Sequence, residues 1–151
     1  MGEPTADGQE YAIPPDEFAT LVSGASDDQL LEGLEANREL IVDGIFQAMP
    51  TTLNADRTGD TRAVIEWRIR EGPGGGPERY QVSIDRGTCV VERDGSADPD
   101  VTYELGALDL VKLAAGSVQG PALFVFGKLK VRGNLLLAAK VPAFFRVPRA
   151  D

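Results

Sequence analysis

Few side chains in this sequence are placed for chemistry. It has no histidine, which removes the commonest general base, every histidine-containing triad and most zinc sites. The single cysteine, Cys89, lies in the apolar run Cys89-Val90-Val91, where a thiol acts as a small buried hydrophobe. One cysteine cannot form an internal disulfide and suits a reducing compartment. Asp27-Asp28 and Asp98-Pro99-Asp100 offer oxygens to a hard cation but lack calcium-loop spacing, so helix-end and turn roles are expected. Gly72-Pro73-Gly74-Gly75-Gly76-Pro77 has two prolines and no phosphate-binding lysine, and reads as a hairpin loop. No serine occupies a nucleophile elbow. The residues predict no catalytic group, no metal and no cofactor.

Charge narrows the partners. Net charge is −9, which argues against nucleic acid, since that needs a basic field over phosphates. The charge is also uneven. Residues 1–60 carry 13 acids against Arg38 and Arg57, whereas from Leu110 onward seven bases face only Asp151. A basic last third suits an anionic head group or anionic membrane surface; it equally describes a solvated face.

The elements follow from pattern. Residues 1–15, with Pro4, Pro14 and Pro15, read as a mobile arm, and residues 16–151 as one domain. A short helix is expected from Asp16 to Val22. Ser26 to Met49 reads as a long helix: Ser26 and Gln29 have capping-box spacing. Leu30, Leu31, Leu34, Ile41, Val42, Ile45, Phe46 and Met49 form its apolar stripe, and Pro50 ends it. The period then falls to two: Ile65/Trp67/Ile69 and Tyr80/Val82/Ile84 mark half-buried strands. Arg86-Gly87 turns into a third strand, and Val101/Tyr103/Leu105 mark a fourth. Strands joined by turns predict an antiparallel meander. Leu108 to Ala115 reads as a helix, Lys128 to Arg132 as a short fifth strand, and Leu135 to Lys140 as a last helix capped by Asn134 and broken by Pro142. Met1-Gly2-Glu3-Pro4-Thr5 lacks the basic start and apolar core of a signal peptide, and no stretch approaches a membrane span. A cytoplasmic location is expected.

The last third is unusually apolar. Leu123, Phe124, Val125, Phe126, Leu129, Val131, Leu135, Leu136, Leu137, Val141, Phe144 and Phe145 crowd into 23 positions. Such a segment is either ordinary core or faces a cavity or partner. Within it, Gly127-Lys128-Leu129-Lys130-Val131-Arg132-Gly133-Asn134, preceded by Phe124 and followed by an apolar helix ending at Lys140, resembles the signature of the sterol-carrier-protein-2 lipid-transfer family. The order of elements over roughly residues 16–145 is similar too. Val125 and Phe126 stand where that family commonly has methionine and serine, which makes the site bulkier.

The resemblance implies an α+β fold: a single five-stranded, mostly antiparallel sheet covered on one face by helices, enclosing an apolar tunnel. It implies non-catalytic binding, and transfer, of a fatty acid, fatty acyl-CoA, sterol or phospholipid. The expected lining is Ile45, Phe46, Met49, Leu110, Leu113, Leu123, Phe124, Phe126, Leu129, Leu135, Leu136, Ala139 and Phe144. Lys128, Lys130, Arg132 and Lys140 are the head-group candidates. A membrane surface is a further expected contact. The rival reading is a protein–protein module, in which Phe124 to Phe126 and Phe144-Phe145 form a homodimer or partner-enzyme contact.

Overall fold

Ser26 opens the long helix through the box its spacing predicts. Its hydroxyl accepts from Gln29 N at 3.1 Å while Gln29 Oε1 accepts from Ser26 N at 2.9 Å. The computed structural model describes residues 15–71 and 75–146; the expected arm and the centre of the glycine-rich loop lie outside the described residues. In chain order the elements are α1 (Pro15–Ser23), α2 (Asp27–Thr52), α3 (Ala55–Thr58), β1 (Arg62–Ile69), β2 (Glu78–Asp85), β3 (Thr88–Arg93), β4 (Val101–Leu105), α4 (Ala107–Ala114), α5 (Gly120–Val125), β5 (Lys130–Gly133) and α6 (Leu135–Lys140). A 3-10 turn, Val141–Phe144, follows.

Two features of α2 depart from expectation. It runs past Pro50 to Thr52, because a proline three residues from the end disturbs only the last turn. It also breaks at Asn37, whose backbone is non-helical (φ −140°, ψ 38°). Asparagine resists helix interiors, and the next residue is held elsewhere: Arg38 Nε donates to Glu78 Oε1 at 2.9 Å and Nη2 to Arg70 O at 2.7 Å. Leu31, expected on the inner stripe, is exposed.

The sheet order is β3-β2-β1-β4-β5. β1–β2, β2–β3 and β4–β5 are antiparallel, but β1 and β4 are parallel. The sheet is therefore mostly antiparallel, as expected, but it is not a meander: β4 lies beside β1 instead of β3. The chain reaches that side by crossing the outer face over residues 94–100. Arg79 Nη2 donates to Gly95 O, and Gln81 bonds both the N–H and the carbonyl of Ala97. Gly95 lies against the Gln81 side chain, where a Cβ would collide. Asp100 then bonds Val64 by side chain and backbone, which fixes the register of β4. So Asp100 serves a turn, as its spacing implied.

Alternation puts Ile65, Trp67, Ile69, Tyr80, Val82, Ile84, Val101, Tyr103 and Leu105 on the inner face, all buried. Phe46 of α2 stacks on Tyr80 (4.1 Å between centroids, 13° between planes) and meets Trp67 edge-on at 5.9 Å. The opposite face is polar. There Glu66 is buried and accepts from Arg68 Nε at 2.7 Å and Gln81 Nε2 at 3.0 Å. Burial pushes its pKa up, but those two hydrogen bonds and the charges of Arg68 and Arg79 outweigh it and hold the carboxyl below its ordinary value. Among the described residues no helix is long and apolar enough to cross a membrane.

Candidate functional site

The expected lining residues divide into three groups. Phe46, Leu110, Leu123, Leu129 and Phe144 are buried in the common core. Ile45, Met49 and Leu113 are half-buried at its margin. Phe124, Phe126, Leu135, Leu136 and Ala139 are exposed. The exposed group sits on α5, α6 and the turns that flank β5, the strand at one sheet edge.

Local chemistry explains why this edge turns outward. The run from Pro121 to Phe126 folds as α5, an element the sequence pattern did not reveal. Its end is tight: Lys128 N and Leu129 N both donate to Leu123 O (2.8 and 3.2 Å), and Gly127 takes φ 76°. That fold buries Leu123 and Leu129 and pushes the intervening Phe124, Val125 and Phe126 out, at 55%, 77% and 76% exposure. Val125, absent from the expected lining, is thus the most exposed of the three. Its signal was visible: three consecutive large apolar residues before a glycine cannot all face one core.

At the other end of β5, Gly133 (φ 96°) approaches Asp100 so closely that a Cβ would collide with its carbonyl. Asn134 then caps α6, its Oδ1 accepting from Leu137 N at 3.0 Å. The seat of α6 on the sheet is slight. Ala138 is its buried residue, and Tyr103 O–H donates to Ala138 O at 2.7 Å. Burial raises the Tyr103 hydroxyl's pKa, so it stays a donor. Leu135 and Leu136 point away, at 64% and 80% exposure. Beyond α6, Phe145 pairs with Leu53, and Asn54 N donates to Phe144 O at 2.7 Å. The chain's last described residues are thereby tied to the end of α2.

The head-group candidates do not converge. Lys130 stands opposite Glu104, and Arg132 opposite Thr102, so both lie on the outer face. Lys128 precedes β5, and Lys140 ends α6 on the helix side. All four are exposed, and none pairs with a carboxylate among the described residues.

Two shallow depressions lie elsewhere. One, about 350 Å³, is lined by Arg62, Ala63, Val64, Ser83, Ile84, Asp85 and Asp100. The other, about 330 Å³, is lined by Arg70, Glu71, Gly75, Pro77 and Glu104. Both are open and neither contains an expected lining residue. Cys89 is half-buried on the inner face, and burial pushes its thiol up to about 11. No three potential metal ligands gather among the described residues. Asp27 instead pairs with Lys112 Nζ at 2.7 Å, tying α2 to α4.

An open α+β sheet with helices on one face and an uncovered apolar edge defines the class. The comparisons then give the family: residues 43–146 match the SCP-2 sterol transfer family, and the chain belongs to it. It is similar to sterol carrier protein 2 of Rattus norvegicus, with 31% identity over 78 residues, 52% of this chain and 14% of that protein. Among solved structures it is similar to palmitated SCP2L2 from Aedes aegypti, with TM-score 0.56, 21% identity, and coverage of 74% and 96% of the two chains. It is also similar to the sec-alkylsulfatase Pisa1 from Pseudomonas sp., with TM-score 0.61, 18% identity, and coverage of 72% and 17%. These structural likenesses show the fold, and the last shows it as a small part of an enzyme. The resemblance read from residues 124–140 and the five-stranded α+β sheet packed against helices that it implied are therefore correct.

Proposed function

We propose that this protein binds an apolar lipid-like ligand without transforming it, with the ligand's tail lying between the inner face of the sheet and the segments α5 and α6, and carries it in the cytoplasm. The observation that carries this reading is the surplus of apolar surface beside β5. Phe124, Val125, Phe126, Leu135 and Leu136 are each more than half exposed within 13 positions, which core packing does not require. Membership in a sterol transfer family supports the ligand class, and the palmitated relative supports an acyl chain.

In this reading Phe46, Leu110, Leu123, Leu129 and Phe144 form the floor. Ile45, Met49, Leu113 and Ala139 form the margin, and Phe124, Phe126, Leu135 and Leu136 close over the tail. In this reading the tail enters as α6 lifts; that helix is held by buried Ala138, half-buried Leu137 and the Tyr103 hydroxyl. Each methylene buried contributes about 0.8 kcal/mol, so a long tail gives roughly 10 kcal/mol gross. Association and ordering take back several, leaving micromolar affinity or somewhat better. Lys128 and Lys140, on the helix side or at the strand's start, are better placed for a carboxylate or phosphate than the outward Lys130 and Arg132.

The test is displacement of a fluorescent fatty acid, joined to native mass spectrometry of protein purified without detergent. Displacement and a co-purified lipid mass are the expected results. No displacement at tens of micromolar protein (on the order of the expected Kd) would refute lipid binding. Phe144, expected in a dimer contact, is buried in the core; a concentration-dependent dimer that Phe126→Asp dissolves would instead favour the interaction module.

A further inference from the structure

β3 ends the sheet, and its free margin is a ladder of unused main-chain groups. The two-residue turn Arg86-Gly87 makes Asp85 and Thr88 a hydrogen-bonded pair. Thr88, Val90 and Glu92 therefore bond β2, and Asp94 N continues the series by donating to Arg79 O at 2.9 Å. The main-chain groups of Cys89, Val91 and Arg93 point the other way, and nothing among the described residues bonds them. No proline or bulge interrupts the strand, so it lacks those guards against edge pairing. Arg93 is no guard either: its guanidinium is drawn inward to Glu78 at 3.5 Å and over the Tyr80 ring at 5.6 Å. We propose that this margin is an interface for a second copy of the chain, β3 against β3 antiparallel, which joins two sheets into one. It lies at the opposite edge from β5, so the inference does not rest on the lipid reading.

Side chains choose the register. Only outward-pointing residues can exchange bonds, so Cys89, Val91 and Arg93 must face that same set in the second copy. Centring the pair on Val91 sets Val90 against Glu92 of the other copy. Centring it on Cys89 needs Gly87, which the turn holds at φ 91°, to extend the ladder. Centring it on Val90 lets Cys89 and Val91 exchange bonds across the axis. Val90 then meets its own counterpart at a non-hydrogen-bonded position, with Cα atoms about 4.5 Å apart. Val90 is 63% exposed, the strand residue among the exposed large apolar side chains, and this register covers it.

Charge names the occupant. At the turn end of β3, Arg62 and Arg86 both lie on Asp85, at 3.2 and 3.0 Å, which leaves a surplus cation. At the far end Glu92 and Asp94 are exposed and have no cationic partner among the described residues. An antiparallel two-fold pair sets each turn end beside the other copy's far end, so both surpluses are met at once. Such a contact closes on itself as a dimer instead of growing into a fibre. A six-residue strand makes a small interface, so the dissociation constant is expected on the order of tens of micromolar.

The experiment is light scattering of the full chain over a range of concentrations, joined to cysteine cross-linking. A reversible dimer is expected at about 100 µM protein. Val90→Lys, which sets like charges opposite each other, should raise its dissociation constant by about tenfold or more. In a Cys89→Ala background, Val90→Cys should cross-link on mild oxidation. Thr88→Cys should not, since its counterpart lies about 14 Å away along the ladder. Phe126→Asp should leave the dimer intact, and fatty-acid displacement should be unchanged in Val90→Lys, so this interface and the lipid site are read separately. A chain still monomeric at about 100 µM, a dimer indifferent to Val90→Lys, a dimer that Phe126→Asp dissolves, or cross-linking at Thr88→Cys but not at Val90→Cys would each overturn the proposal.

Discussion

Two regions of this molecule are rich in large apolar side chains and put them to opposite use. At the centre, under the second half of α2, Phe46, Ile65, Ile69, Tyr80 and Val82 have essentially no exposure, and their rings interlock. At the β5 edge, Phe124 to Phe126 and Leu135-Leu136 face outward on short helices. The difference lies in what holds each region. The centre has two full-length antiparallel pairs and the longest helix. The edge has a four-residue strand and two six-residue helices. The two helices each bury one residue of six and β5 none of its four, so the remainder is available to a ligand or a surface.

The contrast can be broken by substitution. Phe46→Ala should cost the most, about 3–5 kcal/mol, because it empties the stacked site between Tyr80 and Trp67; urea unfolding measures it, and a loss below about 1 kcal/mol would mean the centre is looser than described. Arg38→Met should cost about 2 kcal/mol. It leaves buried Glu78 with Arg93 at 3.5 Å as its remaining ion pair, and a buried carboxylate stripped of a partner is costly. Tyr103→Phe should cost about 1–2 kcal/mol by leaving the Ala138 carbonyl unpaired. It should also speed hydrogen exchange over residues 135–140 while leaving β1 and β2 protected. Uniformly faster exchange would show that α6 does not open on its own.

At the small end, Leu136→Trp should change stability by less than about 0.5 kcal/mol yet lower fatty-acid affinity. A folded variant with unchanged affinity would remove Leu136 from the site. Acid gives a further contrast through the outer face. The folded Glu66 carboxyl is held below the ordinary glutamate range by its hydrogen bonds and the charges of Arg68 and Arg79, so the unfolded chain takes up the proton first as pH falls. Its stabilising contribution is complete above the unfolded value and is lost as pH drops through the folded one. Urea midpoints compared between the parent chain and Glu66→Gln should therefore begin to draw together as pH falls below the ordinary glutamate value of about 4.3, and parallel curves would exclude this role.

The centre was legible in the sequence because its periods are clean. Capping at Ser26, alternation in β1, β2 and β4, and the Arg86-Gly87 turn (φ 46° and 91°) all depend on neighbours in sequence. The strand order was not legible, because the crossing of the outer face is fixed by Gln81 and Asp100 bonding to residues far along the chain. The kink at Asn37 depends on Glu78, forty residues on. At the edge, the glycines, Asn134 and both ends of α6 were readable. Which of Leu123 to Phe126 would be buried was not, because the answer lies in the Leu123 carbonyl folding the chain back on itself.

The strand order also sets a timetable for synthesis. The central strand, β1, precedes all the others, so the sheet grows outward on both sides as the chain lengthens. β1, β2 and β3 can pair as soon as residue 93 clears the ribosome. β4 must then cross to the far side, and the segment that ties Phe145 to Leu53 emerges only after all five strands. A nascent chain stalled after β3 already possesses half a sheet, with the flank of β1 that awaits β4 still bare.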